Sequence, residues 1–195
     1  MTMNYKIALC GEQGVGKSSL AHRLIFNEFS EYKQPTIGAS FLAWTLVRDR
    51  KYTFGLWDLA GSNRFNNLLP IYFRGLDAAV YCIDSTQVFN GAKAEQVCSK
   101  LFEISPRAVL YIAVTKCDRA SDCKVPMSII ESFAIAMGGV QVFYTSAATG
   151  HNVAALFNTI AEKLISIEKP ESVALGNDTW NQNSSHGSSR FKCAC

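Results

Sequence analysis

The feature that most constrains the fold lies at residues 11–18, which read GEQGVGKS and are called here the phosphate loop. Two glycines five positions apart, followed directly by Lys and Ser, match the pattern of a phosphate-binding loop. A short apolar run precedes the loop at 5–10, and apolar residues at helical spacing follow it. These flanks predict the strand, glycine loop and helix in which such a loop binds phosphate. The weaker alternative is a chance glycine loop before an ordinary helix.

The residue types of the phosphate loop are suited to binding a nucleotide. Glycine lets backbone N–H groups turn inward around a phosphate, and the helix N-terminus adds partial positive charge. We expect Lys17 to reach the terminal phosphates and assist catalysis, and the Ser18 hydroxyl to be a ligand of Mg²⁺. The predicted nucleotide-binding residues of this segment are Gly14, Val15, Gly16, Lys17, Ser18 and Ser19.

The composition indicates one folded domain of ordinary size. The chain has 195 residues, of which 48% are hydrophobic and 18% charged. A net charge of +3 is too small to indicate nucleic-acid binding. The seven cysteines show no metal-ligand spacing, and Cys10 and Cys82 lie in apolar runs, as reduced thiols do. With no secretory signal and no apolar run of membrane-spanning length, we expect a reducing, cytoplasmic setting. The chain is expected to be a monomer.

Apolar runs alternate with amphipathic stretches up to about residue 167. This alternation predicts an α/β fold with a mostly parallel six-stranded sheet and helices on both faces, and the phosphate loop indicates that this fold is of the P-loop NTPase type. In such sheets, ligands bind beyond the carboxyl ends of the strands. Residues 169–195 are rich in Ser, Asn and Gly and are expected to be a flexible tail. Strands are predicted at 5–10, 41–47, 53–57, 78–83, 109–114 and 140–144, and helices at 17–27, 88–102, 127–137 and 153–167.

Two further segments could sense a third phosphate. Asp58 follows an apolar strand and could hold Mg²⁺ directly or through water, while the Gly61 N–H could approach the phosphate where a side chain would block it. Thr36 lies in a turn-rich connection and could complete the magnesium shell when a third phosphate is bound. The alternatives are a helix-capping role for Asp58 and an ordinary loop position for Thr36.

Residues 115–118 (TKCD), after the strand predicted at 109–114, indicate a guanine base. The Asp118 carboxylate could accept hydrogen bonds from N1–H and the 2-amino group of guanine, and adenine has no donors there. Leaving a buried charge unpaired costs on the order of a few kcal/mol, so GTP or GDP is expected over ATP. A P-loop ATPase or kinase stays as the distant alternative. Lys116 could cover the base plane, and the Ala147 N–H could reach the guanine oxygen. The predicted base-binding residues are Thr115, Lys116, Asp118, Ser146 and Ala147.

Together these segments resemble the Ras superfamily of small GTPases, and most closely its Rab family, over roughly residues 4–167 and the last few residues. Residues 57–65 (WDLAGSNRF) are similar to the Rab segment WDTAGQERF, and residues 72–75 (YFRG) to YYRG. Residues 37–41 (IGASF) are nearest to the corresponding segment of endosomal Rabs. The resemblance implies a GTPase domain at 1–168 that uses Mg²⁺, hydrolyses GTP and regulates vesicle traffic.

The resemblance also implies roles for aromatic residues. Phe29 is expected to pack edge-on against the guanine. Phe41, Trp57 and Tyr72 are expected to form the patch that effectors, exchange factors and activating proteins contact, the alternative being simple core packing. The nucleotide-sensing segments are then the first switch loop, residues 30–40, and the second switch loop, residues 60–74. An order-to-disorder change of both loops would report the nucleotide state.

Two residues differ from the family pattern at positions that are important for GTP hydrolysis. Ser62 stands where relatives carry the Gln that orients the attacking water, and Gln13 stands where most carry a small residue. We therefore expect slow hydrolysis and a poor response to activating proteins. Two alternatives are open: Gln13 itself reaches the water, or the chain is a pseudo-GTPase that binds GTP as a scaffold. Thr115 and Ala148, where the family has Asn and Lys, are expected to weaken nucleotide affinity without changing base preference.

Residues 191–195 read FKCAC. Cys193 and Cys195 fit double prenylation, as in Rabs, rather than the C-a-a-X form. Two lipid chains give stable anchoring, so attachment to the cytosolic face of an intracellular, endosomal membrane is expected, with prenylation and membrane-extraction chaperones as partners. The alternative is a pair of unmodified thiols.

Overall fold

A six-stranded sheet organises residues 2–32 and 34–167, the part of the chain that this computed structural model describes. The strands are β1 (Thr2–Cys10), β2 (Ala39–Val47), β3 (Lys51–Leu59), β4 (Ala78–Asp84), β5 (Val109–Thr115) and β6 (Gln141–Tyr144). Their order in the sheet is β2-β3-β1-β4-β5-β6, with β2 antiparallel to β3 and every other neighbouring pair parallel. This confirms the predicted mostly parallel sheet.

Five α-helices cover the two faces of this sheet in the described residues. The α-helices are α1 (Lys17–Phe26), α2 (Leu69–Phe73), α3 (Gly91–Ile104), α4 (Met127–Ala136) and α5 (Val153–Ser166). Helices α1 and α5 contribute to the core on one face, and α2, α3 and α4 to the core on the other. Two short 3₁₀ helices, Asn63–Leu68 and Ala120–Asp122, lie in connections.

Strands β4 and β5 are apolar on both faces because both faces are covered. On β1, Ile7 packs into the core under α1 and α5, whereas the next residue, Ala8, packs into the opposite core. Successive side chains of a strand point to opposite faces, so a segment that is covered on both faces can bury consecutive positions. All seven residues of β4 are buried. The loops that follow β1, β3, β4 and β5 consequently meet at one edge of the sheet.

Helix α3 begins later than the predicted start at residue 88. The Asn90 side chain accepts a hydrogen bond of 3.0 Å from the Lys93 N–H and caps the helix, which therefore starts at Gly91. Helix α2, within the second switch loop, was not predicted because its five residues are too few for a periodic pattern.

The predicted lipid sites Cys193 and Cys195, and the tail at 169–195, lie outside the described residues. Within the described ranges, the longest helices have 14 residues, and none has the length and apolarity to cross a bilayer.

Candidate functional site

A cavity of about 990 Å³ opens where the loops following β1, β3 and β5 meet. Most residues predicted from the sequence to form the site line this cavity. Three others, Val15, Asp58 and Ser146, are buried beside it and do not line it. The predicted residues in the lining are Gln13, Gly14, Gly16, Lys17, Ser18, Ser19, Phe29, Thr36, Gly61, Ser62, Thr115, Lys116, Asp118 and Ala147.

The phosphate loop wraps closely around the Lys17 side chain. The Lys17 ammonium is buried and donates to Gly11 O at 3.0 Å and to Glu12 O at 2.7 Å. Burial lowers the pKa of this ammonium, and the nearby Cys82 and Asp58 oppose that shift. A side chain at Gly11 would meet the Cys82 carbonyl oxygen at 2.4 Å, so only glycine fits there. An ammonium has three donors, so Lys17 keeps one for a ligand in the cavity.

Val15 and Thr115 join the phosphate loop to the strands. The Thr115 hydroxyl is buried and lies 2.5 Å from Val15 O and 3.0 Å from Ile83 O. Both oxygens are acceptors, so the hydroxyl shares its one proton between the phosphate loop and β4. The Val15 side chain belongs to the core under α1 and α5. Thr115 is thus a structural link between the loops at the two ends of the cavity.

Three oxygen side chains predicted to hold Mg²⁺ converge from three segments. Ser18 Oγ donates to Asp58 Oδ2 at 2.6 Å, and Thr36 Oγ1 lies 3.0 Å from Ser18 Oγ and 3.2 Å from Asp58 Oδ2. Mg²⁺ prefers oxygen ligands at about 2.0–2.1 Å in an octahedron, whose neighbouring oxygens are then about 2.9 Å apart. The chemistry and spacing of this donor set fit a magnesium ion.

Beside the cavity, the second switch loop contacts both the phosphate loop and the first switch loop. A Cβ added to Gly61 would lie 2.3 Å from the Glu12 carbonyl carbon and 2.4 Å from Gln13 N, so the two backbones are in direct contact. The Ala60 N–H donates to Gly38 O at 2.9 Å, which joins the second switch loop to the first. The departures from the family pattern, Gln13 and Ser62, line the cavity at this contact.

Lys116 forms an ion pair at the base end of the cavity. Its ammonium lies 2.6 Å from Asp84 Oδ2, and the Asp84 side chain is 1% exposed. Burial alone would raise the pKa of Asp84, but hydrogen bonds from Lys116 and Thr86 outweigh it and hold that pKa below its usual value. Asp84 was missed from the sequence, although it directly follows a predicted buried strand. Asp118 is exposed and lines the cavity.

Residues 145–150, called here the base loop, contain the predicted Ser146 and Ala147. The buried Ser146 hydroxyl accepts from the Thr149 N–H at 3.1 Å and does not face the cavity. The loop is joined to β5 and to residues 115–118, because the Thr145 N–H donates to Val114 O at 2.7 Å and Thr145 O accepts from the Cys117 N–H at 3.1 Å. Arg23 of α1 contacts the base loop at Ala147, although the two residues are 124 positions apart in the sequence. The sequence did not predict this contact.

The predicted aromatic patch is a contact cluster on the surface. The Phe41 and Trp57 ring centroids are 5.2 Å apart, and those of Trp57 and Tyr72 are 5.7 Å apart. Phe41 is 55% exposed, which core packing alone does not account for. The Lys6 ammonium lies 5.3 Å from the Trp57 ring centroid and donates to Arg74 O at 2.7 Å. The role of this patch in partner binding stays a prediction.

Comparisons with known proteins cover almost all of the described chain. Residues 6–166 match the family model described as Ras family. The chain is 38% identical over 168 residues to GTP-binding protein ypt5 of Schizosaccharomyces pombe, covering 84% of this chain and 79% of that protein. It is 40% identical over 163 residues to Ras-related protein Rab-5A of Dictyostelium discoideum (82% and 80%), and 33% identical over 175 residues to Ras-related protein Rab5A of Oryza sativa (89% and 86%).

Proposed function

The chain belongs to the Ras family of small GTPases, and from this we propose that it is a Rab-like, GTP- and GDP-switched regulator of vesicle traffic that hydrolyses GTP slowly. The observation that carries the proposal is the meeting of Ser18, Thr36 and Asp58 within 3.2 Å beside a cavity that also holds Asp118. A bound Mg²⁺ would neutralise charge on the phosphate oxygens. One cavity thus combines a donor set for magnesium with a carboxylate suited to guanine.

The switching element is the contact among the two switch loops and the phosphate loop. Thr36 comes from the first switch loop, and Gly61 brings the second against Glu12 and Gln13. A third phosphate would stabilise this arrangement, because its oxygens could be ligands of a metal ion held by Thr36 and could accept a hydrogen bond from the Gly61 N–H. Its loss would release both loops, an order-to-disorder change that partners can distinguish at the Phe41 and Trp57 surface.

Slow hydrolysis follows from the side chains at the junction of these loops. Ser62 has one short hydroxyl where the family has the Gln that positions water, and it lines the cavity next to Gly61, which contacts the phosphate loop. Gln13 adds a long amide on the phosphate-loop side, where it would crowd an arginine supplied by an activating protein; such an arginine contributes about 10³–10⁵ in rate. Both changes also favour the alternative, a GTP-binding scaffold with little or no hydrolysis.

The identity of the bound nucleotide and a timed hydrolysis assay test the proposal. We expect purified protein to carry GDP or GTP, to prefer guanine over adenine nucleotides in Mg²⁺, and to hydrolyse GTP slowly in single turnover. Ser62→Gln is expected to speed that turnover, with wild type as the matched control. Equal affinity for ADP and GDP would reject guanine binding. A wild-type rate equal to that of a Gln-containing relative would reject slow hydrolysis, and no turnover at all would support the scaffold.

We further propose a Rab5-like location on the cytosolic face of an endosomal membrane. The support is the identity to relatives named Rab5A and Rab-5A and the Cys-Ala-Cys pattern, with Cys193 and Cys195 as lipid sites. Mass spectrometry of protein isolated from cells should find two prenyl groups, and a Cys193→Ser, Cys195→Ser variant should lose its membrane fraction. An unmodified wild-type chain that still sediments with membranes would contradict the lipid sites.

A further inference from the structure

Arg23 joins two walls of the base end of the cavity. Its Nε donates to Ala147 O at 2.6 Å and its Nη2 to Ala148 O at 2.7 Å. Its Nη1 donates to Asn27 O at 2.8 Å and lies 3.3 Å from Asn27 Oδ1. Asn27 ends α1 with a left-handed backbone, φ 55°, two residues before Phe29. One guanidinium thus contacts both the base loop and the segment that presents Phe29.

Hydrogen bonds fix the peptide groups on both sides of Ala147. The peptide group before it is held because Ser146 O accepts from the Gly150 N–H at 2.9 Å, and the group after it is held by Arg23. Within residues 2–32 and 34–167, the N–H groups of Ala147 and Ala148 donate to no acceptor, although both residues line the cavity. The base loop therefore has two N–H donors on peptide groups of fixed orientation, at residues that line the cavity.

The charge of Arg23 strengthens this arrangement. A carbonyl that accepts a hydrogen bond from a cation polarises its peptide group, so the Ala148 N–H, which shares a peptide group with Ala147 O, becomes a better donor. In the described residues, Arg23 forms no ion pair with a carboxylate that would reduce this effect. Ala148 itself stands where the family usually has Lys.

We propose that Arg23 is a positioning residue for the 6-oxo group of guanine. It holds the Ala147 and Ala148 N–H groups toward that oxygen and does not itself touch the nucleotide. This inference rests on the proposed binding of guanine nucleotides in the cavity. Asp118 would recognise the opposite part of the base edge, N1–H and the 2-amino group, so the two determinants are separable.

Base analogues in dissociation assays separate these determinants. In 6-thio-GDP, sulfur, a weak acceptor, replaces the 6-oxo group, while IDP lacks only the 2-amino group. We expect Arg23→Ala to weaken GDP binding about tenfold or more, as loss of charged hydrogen bonds does. We also expect the preference for GDP over 6-thio-GDP to shrink by about the same factor, while the preference for GDP over IDP is kept. Arg23→Lys, with one ammonium for two carbonyls, should fall between.

Arg48→Ala is the matched control, because Arg48 makes an exposed 3.4 Å pair with Glu162 away from the cavity. It should change neither preference. A purely structural role for Arg23 would lower affinity for GDP, 6-thio-GDP and IDP equally and would overturn the inference, as would an unchanged GDP preference over 6-thio-GDP in Arg23→Ala. If Arg23→Ala does not fold, Arg23→Lys with wild-type preferences overturns it. A wild type that does not distinguish GDP from ADP would instead reject the proposed function.

Discussion

Gly61→Ala is expected to separate the second switch loop from the phosphate loop. The new Cβ would lie 2.3 Å from the Glu12 carbonyl carbon and 2.4 Å from Gln13 N, whereas ordinary contact begins at 3.4 Å. Both neighbours are backbone atoms, which cannot rotate away as a side chain can. The second switch loop must therefore move by about 1 Å, and a misplacement of about 1 Å can lower a reaction rate about 100-fold.

Two measurements test this prediction. Single-turnover GTP hydrolysis should fall about 100-fold, while GDP affinity should hold, because most of the predicted nucleotide contacts lie outside the second switch loop. Amide exchange reports the movement independently of activity: the Ala60 N–H, now 2.9 Å from Gly38 O, should exchange faster in the variant. Gly91→Ala is the matched control, since the nearest atom to its new Cβ is a Phe89 side-chain carbon at 3.6 Å. Unchanged hydrolysis together with unchanged Ala60 exchange would refute the reasoning.

Three other variants probe two residues that line the cavity and one that is buried beside it. Gln13→Gly should speed hydrolysis if the long amide obstructs the site, and a slower rate would mean that Gln13 itself orients the water. Asp118→Asn should shift preference from GTP toward XTP, because an amide can donate to the 2-oxo group of xanthine; unchanged relative affinity would contradict the assigned base pocket. Asp84→Asn should lower the free energy of unfolding by about 1–3 kcal/mol in urea titrations at neutral pH. The pKa of Asp84 is below its unfolded value, so its stabilisation is present at neutral pH and is lost as pH falls through the folded pKa; the variant should lack this loss.

The fold could be predicted because its central strands carry strong local patterns. Strand β4 is buried at all seven positions, and its apolar run is continuous in the sequence. The prediction of a mostly parallel sheet was confirmed on this pattern and on the alternation with helices. Helix α2 could not be predicted, since five residues complete less than two turns.

Site residues were predictable where fixed spacing carries the chemistry. Ser18 follows from the phosphate loop and Asp58 from its position at a strand end, and the structure places the two side chains 2.6 Å apart. The Arg23 contact with Ala147 had no such spacing, because it joins residues 124 positions apart through a backbone carbonyl, a group that every residue has. A contact to a backbone atom does not restrict the type of the residue that provides the atom, so it can be recognised only from the structure.

We expect the Thr115 hydroxyl to couple the two ends of the cavity when a nucleotide is released. It lies 2.5 Å from Val15 O and 3.0 Å from Ile83 O, so one buried oxygen links the phosphate loop, where we propose that pyrophosphate binds, to β4, which lies beside the proposed purine site. A partner protein that displaces either the phosphate loop or the base end of the cavity would therefore also weaken the contacts of the other. Purine and phosphates would then depart in one concerted opening, and an exchange factor would need to displace only one of these two parts.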